Sequence, residues 1–250
     1  MNNAMAKNLS DLPGLVAACA RRSVALGLNQ GTSGNVSARS PEGFVITPSG
    51  RDMTELTGRD MVEVAMASPS PSRGEGGGAG EAGTTGHVDA KAHPLPNPSP
   101  LNGEGPRPSS EWRFHRDIYA AFPQARAVVH AHSPFAVALA CLRRDIPSFH
   151  YMVAMAGGTD IRCAAYATFG TQALSDAVIA ALRDRRACLM ANHGLVAWGT
   201  TLDRALALAV EVEALCGQYL RCLQAGEPVL LTDSEMAEVL ERFKGYGAGA

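Results

Sequence analysis

Residues 68–108 interrupt the regular patterning of this chain. They hold nine glycines and eight prolines among 41 residues and contain no aromatic side chain. A segment that is about two-fifths Pro and Gly cannot bury enough apolar surface to form a packed element. Loop-closure entropy rises only logarithmically with loop length, so an insertion of this kind costs a domain little stability. We therefore predict one domain over 1–250 that carries a disordered insertion at 68–107.

The remainder of the sequence has the composition of a globular protein with an ample core. Hydrophobic residues make up 46%, charged residues 18%, and the formal net charge is −2. This balance argues against nucleic acid or an anionic membrane as the main partner. The six cysteines form no CxxC pair, and no signal-like leader or long apolar run is present, so we expect reduced thiols and a cytoplasmic location.

Hydrophobic periodicity predicts alternating helices and short strands. Helices are expected at 11–26, 109–122, 133–141, 171–183 and 202–223, and strands at 35–39, 44–47, 60–66, 125–131, 163–167 and 187–191. Ser109 is the expected N-cap of the second helix, and the chain after the last helix is expected to be a polar tail. The mixture predicts an α/β fold with neighbouring strands that are at least partly antiparallel.

Three histidines form a candidate metal site. His130 and His132 are two positions apart on a predicted strand, so both side chains face the same side. His193 follows the apolar strand 187–191 and precedes a glycine, where a ligand can project from a turn. Three imidazoles with an open fourth position are typical of catalytic rather than structural zinc.

The other histidines carry a weaker signal. His87 and His93 lie in the Gly/Pro-rich insertion, where we interpret them as incidental. His115 is four residues after Glu111 on a predicted helix, so the two share a face. This spacing leaves open whether His115 supports the metal site or is a structural core residue.

Three Gly- and Ser-rich stretches could bind an anion. They are 31–37, 47–50 and the serine pair Ser109 and Ser110 at a predicted helix start. Glycines let the backbone approach a phosphate, and a helix N-terminus favours negative charge. Each stretch alone is ordinary turn chemistry, but together with the HxH strand they favour a phosphorylated substrate.

The lysines argue against Schiff-base chemistry. Only Lys7, Lys91 and Lys244 are present, and none lies in a predicted core strand where burial would lower its pKa. Carbon–carbon cleavage beside a ketone needs either such a lysine or a metal as Lewis acid. The metal route is therefore favoured.

These motifs together resemble the class II aldolase/adducin family. The stretches that carry the resemblance are 26–37, 46–50, 108–115, 128–132, 150–152, 166–171, 192–195 and 243–247. The resemblance implies a single α/β/α layered domain around a mostly antiparallel sheet. It also implies a C4 homotetramer with active sites between subunits, and reversible cleavage of a ketose 1-phosphate to dihydroxyacetone phosphate and an aldehyde.

The resemblance also implies a role for each site residue. Zinc would be held by His130, His132 and His193, with Glu111 as an acid/base that can also contact the metal. The phosphate-binding positions would be Gly34, Asn35, Ser49, Gly50, Ser109 and Ser110. Tyr151 would protonate the aldehyde oxygen from an adjacent subunit, Phe169 would form a wall for the aldehyde, and Tyr246 would close over the substrate on a C-terminal tail. The family often has Thr where this chain has Ser49, a change that keeps the hydroxyl.

The identity of the substrate stays open at this level. An L-fuculose 1-phosphate type of ketose is the first expectation, and 5-deoxyribulose or 5-(methylthio)ribulose 1-phosphate is the alternative. A sugar-phosphate 4-epimerase or a dehydratase would use the same retro-aldol logic and is a lesser alternative. A non-catalytic interaction module is disfavoured because all three histidines and Glu111 are present.

Overall fold

One seven-stranded sheet organises the structure. The computed structural model describes residues 11–66 and 105–245. Its strands are β1 (Asn35–Arg39), β2 (Gly43–Ile46), β3 (Val62–Ala65), β4 (Ala127–Ala131), β5 (Cys163–Ala164), β6 (Ala187–Met190) and β7 (Gly194–Gly199). Their order in the sheet is β3-β2-β1-β4-β7-β6-β5, and only the β5–β6 pair is parallel. The predicted mostly antiparallel sheet is thus confirmed.

The described residues include six α-helices, most of which pack on the sheet. They are α1 (Leu12–Ala25), α2 (Trp112–Ala121), α3 (Pro134–Cys141), α4 (Gln172–Ala181), α5 (Leu202–Ala225) and α6 (Asp233–Gly245). Two 3₁₀ helices lie at Gly58–Asp60 and Tyr151–Ala156. The side chains of Thr171 and Thr201 cap α4 and α5 by accepting the backbone N–H three residues later. In the described ranges, no helix is both long and apolar enough to cross a bilayer.

Each face of the sheet buries its own hydrophobic cluster. Along β7, Leu195 and Ala197 join one cluster, which includes residues from α1, α3 and α5, whereas Val196 and Trp198 join the other, which includes residues from α2 and α4. This alternation is the two-residue period of a strand buried on both sides. Helices on both faces give the α/β/α layering that was expected.

The strand register determines which polar residues meet. Asn35 of β1 pairs with His130 of β4, and His130 pairs with Val196 of β7. Because β6 and β7 form a hairpin, the turn that joins them lies beside the end of β4. The register therefore brings three separate segments of the sequence together at one end of the central strands.

Three local expectations differ from the structure. The helix predicted from Ser109 begins at Trp112 with Glu111 as N-cap residue, because Ser109–Trp112 form a turn closed by the Trp112 N–H on the Ser109 carbonyl (3.1 Å). Strand β7 and helix α6 were not predicted. Strand β7 is buried along its whole length, so it lacks the apolar/polar alternation of a half-buried strand. Within the segment expected to be a polar tail, helix α6 does carry apolar residues at a helical spacing, which are Met236, Val239, Leu240 and Phe243. The predicted insertion lies almost wholly outside the described residues.

Candidate metal centre and its cleft

The HxH motif places two imidazoles against each other at the end of β4. The Nε2 atoms of His130 and His132 are 3.0 Å apart, and the ring centroids are 4.8 Å apart. His130 is fully buried, while His132 is partly exposed. The two rings therefore point their Nε2 atoms at one shared position.

The β6–β7 turn adds His193 to this pair. The ring centroid of His193 is 4.9 Å from that of His130 and 4.8 Å from that of His132. Asn192, just before it, has φ +55°, a left-handed conformation that tightens the turn. A Cβ on Gly194 would lie 2.3 Å from the carbonyl oxygen of Ala131, so only glycine allows the hairpin to approach β4 this closely.

Glu111 completes the cluster from the N-cap position of α2. Its Oε2 is 3.1 Å from His130 Nε2, and its Oε1 is 3.1 Å from His193 Nε2. The contact to His193 lacks hydrogen-bond geometry, so Oε1 is a buried oxygen with no hydrogen-bond partner among the described residues. One ligand atom from each of these four side chains lies within 4.8 Å of the other three.

The protonation states suit a cation. Nδ1 of His130 is 2.8 Å from the Leu195 carbonyl oxygen, which only accepts hydrogen bonds, so Nδ1 donates there and Nε2 is the nitrogen left to bind a metal. Burial, together with the neighbouring His130 and His193, lowers the pKa of His132 to about 3, which keeps its ring neutral. Burial alone would raise the pKa of Glu111, but the positive charge of the His130 and His193 rings when protonated, and their close contacts with the carboxylate, lower it well below its usual range, and a bound cation would act in the same direction. The cluster is thus an anionic carboxylate beside imidazole nitrogens.

This donor set fits a zinc ion. Ligand atoms at ~2.0–2.1 Å from a tetrahedral centre lie about 3.3 Å from one another. Three contacts in the cluster, at 3.0–3.1 Å, are close to that value, and one ligand atom from each of the four residues lies within 4.8 Å of the others. Lone pairs and a carboxylate oxygen converging without donors are unfavourable in a buried site unless a cation lies between them. The four residues could therefore hold a divalent metal such as zinc.

The anion-binding stretches meet in a cleft beside this cluster. The cleft has a volume of about 350 Å³, and its lining includes all six predicted phosphate-binding residues, Gly34, Asn35, Ser49, Gly50, Ser109 and Ser110. Backbone bonds from Ser109 N–H to the Thr47 carbonyl (3.1 Å) and from Ser49 N–H to the Arg107 carbonyl (2.9 Å) hold two of the stretches side by side. The third stretch is adjacent through β1. Glu111, His132 and His193 line the same cleft.

Gly34 and Asn29 hold the first of these stretches in place. Gly34 has φ +76°, and a Cβ there would overlap the Asn29 side chain. Asn29 is buried, and its Oδ1 accepts the backbone N–H of His132 at 3.1 Å. Asn29 thus joins the Gly-rich loop to the metal cluster. Sequence reasoning did not single it out, because its partner is about a hundred residues away.

The remaining predicted residues have different positions. Phe169 lines the cleft together with Tyr166 and Asn192, which sequence reasoning had only quoted within motifs. Tyr151 is half exposed and lines a separate cleft with Val239 and Phe243, so a single chain does not bring it to the metal cluster. Tyr246, His87 and His93 lie outside the described residues.

Lys244 is the one lysine within the described residues. Lys244 is exposed on α6 and pairs with Glu241 at 2.5 Å, well removed from any buried environment. Lys7 and Lys91 lie outside the described residues. Within the described part of the chain, the cleft is lined by no lysine.

Comparison with known proteins agrees with this geometry. A family model described as Class II Aldolase and Adducin N-terminal domain matches residues 14–220. A 5-methylthioribulose-1-phosphate/5-deoxyribulose-1-phosphate aldolase of Rhodospirillum rubrum is 50% identical over 92% of this chain and 90% of its own length. An L-fuculose phosphate aldolase of Escherichia coli K12 is 44% identical over 89% of each chain. A solved structure titled L-fuculose 1-phosphate aldolase is 34% identical, with a TM-score of 0.76 over 94% of this chain and 97% of its own.

The sequence resemblance is therefore confirmed by a family match over most of the chain, by relatives of nearly the same length and by the fold. The chain belongs to the class II aldolase and adducin N-terminal domain family.

Proposed function

We propose that this protein is a zinc-dependent aldolase that reversibly cleaves a ketose 1-phosphate to dihydroxyacetone phosphate and an aldehyde. The observation that carries the proposal is the convergence of His130, His132, His193 and Glu111 at a cleft lined by serines and glycines. A metal beside an anion-binding cleft matches the two needs of the reaction, an electron sink and a hold on the phosphate.

The phosphate of the substrate would bind at the end of the cleft formed by the three stretches. Ser49, Ser109 and Ser110 offer hydroxyl donors there, and Gly34 and Gly50 keep the backbone open to a ligand. Such sites work through many N–H and O–H donors rather than through one cation. Because the ketone is on the carbon next to the one that carries the phosphate, binding of the phosphate here would place the ketone near the four-residue cluster.

Proton transfer would fall to Glu111. In the cleavage direction the hydroxyl oxygen on the fourth carbon loses its proton and becomes the aldehyde oxygen. The electron pair of the bond between the third and fourth carbons passes to the ketone half as that bond breaks, and a proton is then delivered to the third carbon. A bound zinc ion would supply Lewis-acid stabilisation of the negative charge that develops at the ketone oxygen. Glu111 lies in the cleft as a carboxylate with one oxygen free of hydrogen bonds, which suits a group that takes up and returns a proton.

The aldehyde end favours a 5-deoxy- or 5-(methylthio)ribulose 1-phosphate. Tyr166, Ala167 and Phe169 give the cleft an apolar wall, and Phe169 is exposed to the cleft mouth. The aldehyde half of these pentuloses has no further hydroxyl, whereas that of fuculose has one. The 50% identity to the Rhodospirillum rubrum relative supports the same choice. It reverses the order expected from the motifs alone.

L-Fuculose 1-phosphate is the second candidate substrate. It is supported by the relative at 44% identity and by the solved structure at 34% identity. Both candidates use the same phosphate and metal positions, so they differ only at the aldehyde wall.

A panel assay tests the proposal. Purified protein loaded with zinc is assayed for dihydroxyacetone phosphate release from 5-deoxyribulose, 5-(methylthio)ribulose and L-fuculose 1-phosphates, with and without a chelator. We expect chelator-sensitive cleavage with kcat/KM about tenfold higher for the pentuloses, the scale of one mismatched group in a pocket. No release from any ketose would overturn the aldolase proposal, and a preference for L-fuculose 1-phosphate would restore the second candidate.

The complete site is proposed to need a neighbouring copy in a cytoplasmic homotetramer. Tyr151 is exposed and outside the metal cleft, which suits a residue that serves the site of an adjacent subunit. The assembly can be checked by light scattering, and the role by mixing subunits that carry Tyr151→Phe with subunits that carry His193→Ala. Recovery of activity in the mixture would support a shared site, and none would contradict it.

A further inference from the structure

A fourth histidine lies next to the metal cluster but outside it. His115 of α2 is fully buried, and both of its ring nitrogens have partners. Nδ1 is 2.7 Å from the Ser37 hydroxyl, and Nε2 is 2.5 Å from the Asn35 amide oxygen. The proposed function gives this ring no role.

The hydrogen bonds around His115 have one consistent direction. The Asn35 oxygen can only accept, so the ring must donate from Nε2, and its Nδ1 must accept from the Ser37 hydroxyl. The Ser37 oxygen then accepts from the Tyr119 hydroxyl at 2.7 Å. Burial lowers the pKa of His115 to about 3, so the neutral tautomer with the proton on Nε2 is the relevant form.

The Asn35 amide connects His115 to Glu111 by hydrogen bonds. The Asn35 Nδ2 donates to Glu111 Oε2 at 3.0 Å and to the Ser109 hydroxyl oxygen at 2.9 Å. Were the amide reversed, its oxygen would face the carboxylate, and two acceptors would meet in a buried site. The donor that holds the amide in its present orientation is His115 Nε2.

We propose that His115 is a positioning residue that orients the Asn35 amide and, through it, the Glu111 carboxylate of the metal site. His115 touches neither the metal position nor the cleft, and it acts only by fixing which end of the amide faces Glu111. This inference rests on the proposed metal site. It assigns His115 to support of that site, which the helical spacing of four residues had left open.

A purely structural role would predict a different pattern. Ser37, His115 and Tyr119 also fill the space between β1 and α2, so a loss of stability alone would not establish positioning. A test must therefore vary the reach of the donor while keeping the residue neutral and polar.

Glutamine and asparagine at position 115 form a matched pair. The Gln amide nitrogen can occupy the place of the imidazole Nε2 and donate to Asn35, whereas the Asn amide is one methylene too short. Zinc affinity is measured for His115→Gln and His115→Asn by competition with a chelating dye, and folding of each is checked by circular dichroism. We expect His115→Gln to bind zinc within about threefold of the wild type. His115→Asn should bind zinc roughly 10–100-fold more weakly than the wild type, which is the usual cost of losing a hydrogen bond that orients a metal ligand.

The same pair in an Asn35→Ala background tests the route. If His115 acts through Asn35, the difference in zinc affinity between His115→Gln and His115→Asn should shrink to about twofold or less, because the Asn35 amide that connects position 115 to Glu111 is gone. An undiminished difference would overturn the proposed route. Equal zinc affinity for the two variants in the parent background would overturn positioning altogether.

One measurement needs no variant. Nitrogen-15 NMR of the imidazoles in the intact protein should find His115 neutral, with its proton on Nε2. A proton on Nδ1 would overturn the proposal even if both variants failed to fold. Neither zinc affinity nor the tautomer depends on substrate turnover, so absence of aldolase activity would overturn the proposed function and leave this inference to its own test.

Discussion

The buried His115 and the cluster of His130, His132 and His193 lie side by side in this protein and differ in what their nitrogens do. His115 has both nitrogens engaged by Asn35 and Ser37. His130 has its Nδ1 on the Leu195 carbonyl, and its Nε2 faces two other potential metal ligands, His132 Nε2 at 3.0 Å and Glu111 Oε2 at 3.1 Å. A ring with both nitrogens satisfied is a structural or positioning group, and a ring with one nitrogen aimed at other acceptors is a ligand.

The same contrast separates two carboxylates near α2. Asp117 accepts hydrogen bonds from Ser175 and Gln172, each at 2.6 Å, and from Arg116 at 2.7 Å. Glu111 Oε1 accepts none within the described ranges. Burial of acceptors without donors costs free energy, and proteins tolerate that cost mainly at functional sites. The unsatisfied group therefore marks the site better than burial alone.

The largest predicted effect comes from removing a ring whose Nε2 faces the cluster. His193→Ala should abolish stoichiometric zinc binding. It should also reduce kcat/KM roughly 1000-fold or more, because a Lewis acid lowers the activation barrier by several kcal/mol. Elemental analysis and the cleavage assay check this, with Asp117→Asn as a control at a satisfied buried group. Retention of one zinc per chain in His193→Ala would refute its assignment as a ligand.

Glu111→Gln tests the unsatisfied carboxylate. The amide keeps the shape but cannot take up a proton, so we expect kcat to fall about 100-fold or more while zinc stays bound through the three imidazoles. Metal content and steady-state kinetics are measured on the same sample. Near-normal turnover with zinc bound would rule out the acid/base role.

Asp117→Asn should act on stability and not on chemistry. Loss of the charge weakens three hydrogen bonds, so the free energy of unfolding should drop by about 1–3 kcal/mol with kcat unchanged. Burial alone would raise the pKa of Asp117, but the hydrogen bonds from Arg116, Ser175 and Gln172 lower it below its usual value of 3.8. A lowered pKa stabilises the fold above the unfolded-state value, and this contribution is lost as the pH falls through the folded-state pKa.

Urea unfolding as a function of pH checks this prediction. The stability difference between the wild type and Asp117→Asn should be full at neutral pH and should shrink below about pH 4. A difference that does not change with pH would mean that Asp117 acts through shape rather than charge.

The smallest effect is expected at Tyr119, which ends the chain of hydrogen bonds that runs from Asn35 through His115 and Ser37. Tyr119→Phe removes one hydroxyl donor to Ser37 but leaves the Ser37 hydroxyl to serve His115. We expect a loss of about 1 kcal/mol in unfolding free energy and a zinc affinity within twofold of the wild type. Thermal melting and dye competition measure the two quantities. A large loss of zinc affinity would show that His115 and the three-histidine cluster are less separate than their hydrogen bonds indicate.

The local sequence was sufficient for most elements and for the nature of the site. Helix α1, strand β1 and the HxH pair followed from periodicity, caps and alternation, which depend on neighbours only a few residues apart. The residue types of the ligands were also predictable, because only certain side chains bind zinc. Strand β7 was missed because it is buried on both faces and shows no alternation, and α6 was missed although Met236, Val239 and Phe243 follow a helical spacing.

Only the tertiary structure decided how these parts meet. The pairing of β4 with β7 brings His193 to His130, and the start of α2 at Trp112 places Glu111 rather than Ser109 at the cap. Whether a buried histidine is a ligand or a support depends on partners as distant in sequence as Asn35 is from His115. Sequence periodicity reports contacts within one element, whereas strand register and hydrogen-bond satisfaction depend on segments that only folding brings together.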